Sequence, residues 1–442
     1  MSTGKFFDVA VITEGINGLL SAYELSKTDI SIVVIDNYNP VLNINNYKFE
    51  YYPYNIISYY EPADVIKELN VNYEVYSNPA YHVILPDRRI DVFSHIQKMI
   101  PSAKLRFGSE ADLLIDYLTK EDKINDIQDK LRQLDRDKSI SLLKRTSNKI
   151  RLNEFLTGER RVLKSIYQEI EKSIPLNVFF NSISKYVYPY FESDARKING
   201  VVPQILKKRF YISDGNDGLK KLLLDTLINR NVNVISDRSV QSINYKRYFN
   251  IFLDHSDTVR SRKIILEPIH EKSMSILQDD NHIRKNIKKR FYVDNIFVGI
   301  KREALPEVFS RVNNAVLVFN YHHPLIDGNI VFLNANPLNN IKMASHEMTA
   351  LSITTLISEN SIVRLSSIRD TVLKYMKWFI PFFDEYVDNI YFTEPYILWD
   401  TKDVRMYNNN IMMVNTEFLH NYTYEDTYES IREQINLFIR KL

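Results

Sequence analysis

The residues best placed to do chemistry lie in a short turn near the N-terminus, Thr13-Glu14-Gly15-Ile16-Asn17-Gly18. The apolar run Val9-Ala10-Val11-Ile12 precedes it, and Leu19 to Leu25 follows with helical spacing. A second apolar run, Ile30 to Ile35, ends in Asp36, 21 residues beyond Gly15. Strand, glycine turn, helix, strand and acid is the layout of a dinucleotide-binding βαβ unit. In such a unit the middle glycine, here Gly15, lets backbone approach a pyrophosphate. The third, here Gly18, lets helix and strand pack closely, and the acid, here Asp36, holds a ribose hydroxyl. The first glycine position is taken by Thr13, whose branched Cβ crowds a tight turn. Glu14 adds a carboxylate near a helix N-terminus that would otherwise draw phosphate. Two readings stay open on these residues: a nucleotide site, or a βαβ unit with no ligand.

Glycine is otherwise scarce. It makes up 10 of 442 residues, and a second patch, Asp214-Gly215-Asn216-Asp217-Gly218, opens a helical stretch from Leu219 to Ile228. Hydrophobic content of 45%, charged content of 25% and a formal net charge of +2 are those of an ordinary soluble globular chain. Near-neutral charge gives no reason to expect a nucleic acid. With no cysteine, disulfides, thiolate metal sites and cysteine nucleophiles are excluded. No apolar run approaches the ~18 residues of a spanning helix, and no signal peptide is evident, so a cytoplasmic protein is expected.

Beyond Asp36, the pattern predicts a helix over 62–69 and a strand pair, Tyr81 to Leu85 and Arg89 to Val92, turned at Pro86-Asp87-Arg88. A helix-rich, charged region fills about 94–185. Strands are expected at 232–235, 239–243, 248–253, 262–266, 296–300, 315–319, 330–333 and 411–414. Helices are expected at 344–359, 366–387 and 424–440.

These segments, in order, resemble the flavin-dependent amine oxidase and phytoene desaturase superfamily over nearly the whole chain. Asp8 through Leu25 is similar to "DVIVIGAGISGLAAAYEL", and Tyr47-Lys48-Phe49-Glu50-Tyr51-Tyr52-Pro53 to "YRFDLGP". Asn78 to Asp87 resembles "DPAYRVFFPDG", and Phe210 to Leu219 resembles "YPRGGMGAL". Asn233 to Ile243 resembles "VEIRLNTPVTRI", and Lys263-Ile264-Ile265-Leu266-Glu267-Pro268 resembles "VVVATPP". The resemblance implies an α/β fold with a Rossmann-like FAD/NAD(P)-binding domain and a discontinuous α+β substrate domain. The first would be assembled from 1–75, 205–268 and 395–442, the second from 76–204 and 269–394. It implies FAD as cofactor, held by Gly15, Gly18, Asp36 and Gly215, with Val240 near the adenine. Asn415 and Thr416 stand where the family's "YLAGD" motif has its glycine and aspartate. An oxidoreductase acting on an apolar or amine-bearing substrate follows from the resemblance, without an identifiable catalytic base.

The departures from the family pattern fall on cofactor contacts: Thr13, Tyr52, Asp214, Asn216, Asn415 and Thr416 all replace small or specific residues. Side chains there fill space that backbone leaves for a phosphate or ring. The alternative is therefore a cofactor-free pseudoenzyme on the same fold, a binding or structural subunit with a protein partner. Rab GDP-dissociation inhibitors use this scaffold as chaperones, though Tyr47 and Asn78 lie in segments closer to the desaturases.

Other constellations are weaker. His322-His323 reads as a solvated turn, His346-Glu347 lacks the second histidine of a helical zinc motif, and no metal site is expected. Arg284 to Arg290 reads as a solvated helix face. Lys377-Trp378-Phe379-Ile380-Pro381-Phe382-Phe383 reads as core or interdomain packing, with peripheral membrane contact the lesser use.

Overall fold

A computed structural model describes residues 5–37, 41–50, 58–59, 68–70, 73–75, 81–93, 96–136, 141–187, 209–212, 215–236, 238–267, 288–306, 314–335, 347–400, 406–407, 410–414 and 424–440. The predicted helix over 62–69 lies mostly outside these residues, as do Asn415, Thr416 and His346.

The N-terminal unit forms as its pattern requires. Strand β1 (Phe6–Thr13) leads through the glycine turn into helix α1 (Ile16–Leu25) and then strand β2 (Ile32–Asp36). β1 and β2 pair in parallel, with Thr13 opposite Asp36. β2 and the Val9–Thr13 part of β1 are buried on both faces, which explains their unbroken apolar runs. Asn233–Ile235 extends the sheet beyond β2, and Thr258–Leu266 joins the other side of β1. Val240–Tyr245 and Phe249–Leu253 form an antiparallel meander with Thr258–Leu266, whose last residues also pair with Ile411–Met413 in parallel. Distant segments thus converge on one sheet whose strand ends face the glycine turn.

The second sheet is built on two long antiparallel strands, Lys288–Lys301 and Met348–Ser358. Ile330–Ala335, Asn314–Val318, Tyr81–Leu85 and Arg88–Val92 continue from the latter. Val387–Phe392 and Tyr396–Asp400 pair with the former. At Gly299 the backbone approaches the Tyr47 ring so closely that an added Cβ would lie 2.5 Å from Cζ. The helical region consists of Ile96–Phe107, Ala111–Arg136, Leu142–Ile170 and Ile174–Val187. Tyr117, Phe179 and Phe180 pack edge to face at its centre.

Four expectations are corrected. The helix over 344–359 is the strand Met348–Ser358, because its Thr, Ile and Leu residues are buried on both faces and have no helical stripe to present. The helix over 366–387 stops at Phe379; Ile380 turns extended before Pro381, and a four-residue helix and a strand follow. Lys288, Lys289 and Arg290 open a strand instead of lying on a helix face. Trp378 and Phe382, expected in packing, are 72% and 66% exposed. Among the described residues, no helix is long and apolar enough to cross a membrane.

Candidate functional site

The turn between β1 and α1 is organised by a residue distant in sequence, at the end of the strand beside β1. Thr258–Leu266 runs beside β1, with Leu266 opposite Ile12, and the Glu267 N–H donates to the Ile12 carbonyl at 3.0 Å. This register delivers the Glu267 side chain to the first turn of α1. Its Oε1 accepts the Asn17 N–H at 3.1 Å, and its Oε2 accepts the Gly18 N–H at 2.7 Å. These are backbone donors that a helix N-terminus would otherwise offer to an anion.

Thr13 completes the arrangement. Its Oγ1 lies 2.9 Å from Glu267 Oε2 and 2.5 Å from the Gly15 carbonyl oxygen, and it accepts the Gly15 N–H at 3.3 Å. One hydroxyl proton cannot serve both oxygens at once. Burial pushes the Glu267 carboxyl up to about 7, against the lowering effect of the bonds from Gly18, Thr13 and Asn17. Glu267 is 2% exposed.

Gly15 has an extended backbone, φ −152° and ψ −175°, which any residue can adopt. Gly18 is constrained by proximity instead. A Cβ there would meet the Thr13 side chain and lie 2.8 Å from Glu267 Oε2. Glycine is kept at this position because Thr13 and Glu267 fill the space around it.

Asp36 closes β2 and is buried. Lys220, on the helix Gly215–Asn229, places Nζ 2.9 Å from Asp36 Oδ2. The acid expected to face a ribose is thus neutralised by a lysine of the same chain. Gly215 begins that lysine's helix. Val240 is buried in the meander opposite Leu253. The structure brings Thr13, Gly15, Gly18 and Asp36 to the strand ends, with two residues from outside the βαβ motif, Glu267 and Lys220. Glu267 carried a readable signal: a carboxylate directly after the buried run Ile264-Ile265-Leu266, at the threonine position of "VVVATPP".

The residues present do not fit a dinucleotide pyrophosphate at this turn. The Asn17 and Gly18 donors are used by Glu267, and an ionised Glu267 would repel a phosphate brought alongside. Among the described residues, no group of three or more His, Asp or Glu side chains could hold a metal ion. His322 and His323 are exposed in a turn.

No family model matches the sequence, and no curated protein matches it. Solved structures do match in fold. An oxidoreductase from Methanosarcina mazei superposes with a TM-score of 0.62 at 12% identity, over 98% of this chain and 100% of its own. A Rab GDI from Plasmodium falciparum gives 0.61 at 11% identity, over 99% and 98%. Putrescine oxidase bound to putrescine gives 0.55 at 12% identity, over 99% of both chains. The chain therefore has the α/β fold of these solved structures.

Proposed function

We propose that this chain is a flavin-free protein on an FAD-dependent oxidoreductase fold, acting as a binding or structural subunit. The observation that carries this reading is the Glu267 carboxyl bonded to the Asn17 and Gly18 amides and to Thr13. The Asp36–Lys220 pair supports it at the second expected cofactor contact. Similar folds occur in proteins named as putrescine oxidase and as Rab GDI, so fold alone selects neither redox chemistry nor protein binding. The oxidoreductase reading, with an apolar or amine-bearing substrate, rests on the fold and lacks a fitted pyrophosphate turn.

A ligand that binds the native state raises its melting temperature. FAD added in large excess should leave the melting temperature of the purified chain unchanged, and putrescine with FAD should yield no hydrogen peroxide. A saturable rise in melting temperature with FAD would overturn the reading.

A further inference from the structure

The outer face of the second sheet carries a pocket of ≈ 520 Å³ whose construction is independent of the glycine turn. One wall is the end of Asn314–Val318 with Phe319, beside Leu85 and Pro86. The other wall is the helix Leu365–Phe379, whose residues Thr371, Lys374, Tyr375 and Trp378 recur at three- and four-residue intervals and so share a face. The volume falls within the ~300–1,000 Å³ typical of small-ligand pockets.

Its chemistry is narrow. Leu317 is buried beneath it, and Ile84, opposite Leu317 in register, lies on the same face. The Phe319 and Tyr375 rings stack on each other with centroids 3.9 Å apart and planes 11° apart. The stack covers one face of each ring, and Ile84, Leu85, Pro86, Leu317 and Val318 make the rest of the strand-side lining aliphatic, which suits a flexible hydrocarbon chain. Lys374 is exposed on the same face, and no carboxylate pairs with it among the described residues. Lys377, three residues on, is by contrast paired with Asp384 at 2.9 Å. Trp378, exposed at the lip, adds an amphipathic ring where an apolar ligand would meet water.

We propose that this pocket binds one long-chain fatty acid, its hydrocarbon chain against Ile84, Leu317 and Phe319 and its carboxylate on Lys374. Affinity then rises with each methylene buried, by about fourfold per group, until the pocket is full. The carboxylate contributes a smaller, salt-sensitive part, because Lys374 is exposed.

The chain has two tryptophans, so Trp399→Phe leaves Trp378 as the single fluorescent reporter. Titration of the full-length variant with monomeric palmitate should give a saturable change in Trp378 emission, with laurate weaker. Methyl palmitate should bind about fivefold less tightly than palmitate, and Lys374→Ala should weaken palmitate by the same factor while leaving the methyl ester unchanged. Equilibrium dialysis of labelled palmitate against the unmodified chain gives the same stoichiometry without relying on Trp399→Phe. No saturable binding in dialysis overturns the proposal, as does equal affinity for laurate and palmitate or unaltered palmitate affinity in Lys374→Ala. A response confined to phosphatidylserine vesicles would make the face a membrane contact, and overturn it too. Dimerisation through Trp378 in the absence of fatty acid would do the same.

Discussion

Thr13 Oγ1 lies 2.9 Å from Glu267 Oε2, two atoms joined across 254 residues of sequence. Thr13 stands at the first glycine position of the βαβ motif and Glu267 directly after a buried strand, and the two meet in space. Thr13 brings a hydroxyl into the turn where a glycine would leave room, and Glu267 brings the carboxyl that uses it. Residues in direct contact of this kind couple energetically. A double-mutant cycle with Thr13→Val and Glu267→Gln, read by urea denaturation, should give a coupling of about 1–3 kcal/mol. Additive effects would show that the pair is a coincidence of geometry.

The same carboxyl sets a pH dependence. Glu267 is raised from the ordinary 4.5 to about 7 by burial, so the folded state holds a proton that the unfolded chain releases. Its contribution is fully present below about pH 4.5. It is lost as pH rises through about 7. Glu121, buried beside Tyr117 at 3.2 Å, is likewise raised to about 8 by burial. Glu121→Gln should therefore raise the melting temperature at pH 9, by about 4 °C, and change it less at pH 5. An equal effect at both values would remove Glu121 from this account.

The Asp36–Lys220 pair is buried on the acid side. Removing the cation leaves the carboxylate without that charge, at a cost of about 3 kcal/mol. Lys220→Met should lose that much stability in chemical denaturation, and Asp36→Asn in the same chain should recover most of it. No recovery would mean that the lysine acts through packing alone.

Gly18 and Gly158 form a matched test of close approach. A Cβ at Gly18 would lie 2.5 Å from Thr13 Cβ, whereas at Gly158 nothing lies within 4 Å. Gly18→Ala should destabilise by about 1–3 kcal/mol. Gly158→Ala, inside the helix Leu142–Ile170, should stabilise by about 0.5–1 kcal/mol. Thermal melts of the two variants moving in the same direction would contradict the packing described at the turn.

Much of this architecture is legible in the residues themselves. Alternation of apolar runs with the Gly15–Gly18 turn is enough to place β1, α1 and β2, because each element must bury a continuous apolar surface. Met348–Ser358 reads as a helix because a strand buried on both faces has no two-residue alternation to betray it. Trp378 reads as core from its apolar neighbours, yet only Ile380 and Phe383 of that stretch are buried, and Phe382 takes a left-handed φ of 58°. Thr13 stands out as a departure from the motif, whereas its meaning depends on Glu267, which the sheet register brings beside it. A long-range pair of this type leaves no local spacing to read, and the same holds for Asp36 with Lys220.

The chain's own carboxyl holds the turn that a flavin pyrophosphate would need. The decisive measurement is the flavin content of the protein, expressed with ample riboflavin, purified, denatured and read by absorbance and fluorescence of the supernatant. A colourless protein that releases no flavin is expected. Release of about one FAD per chain, as expected of a flavoenzyme, would contradict it.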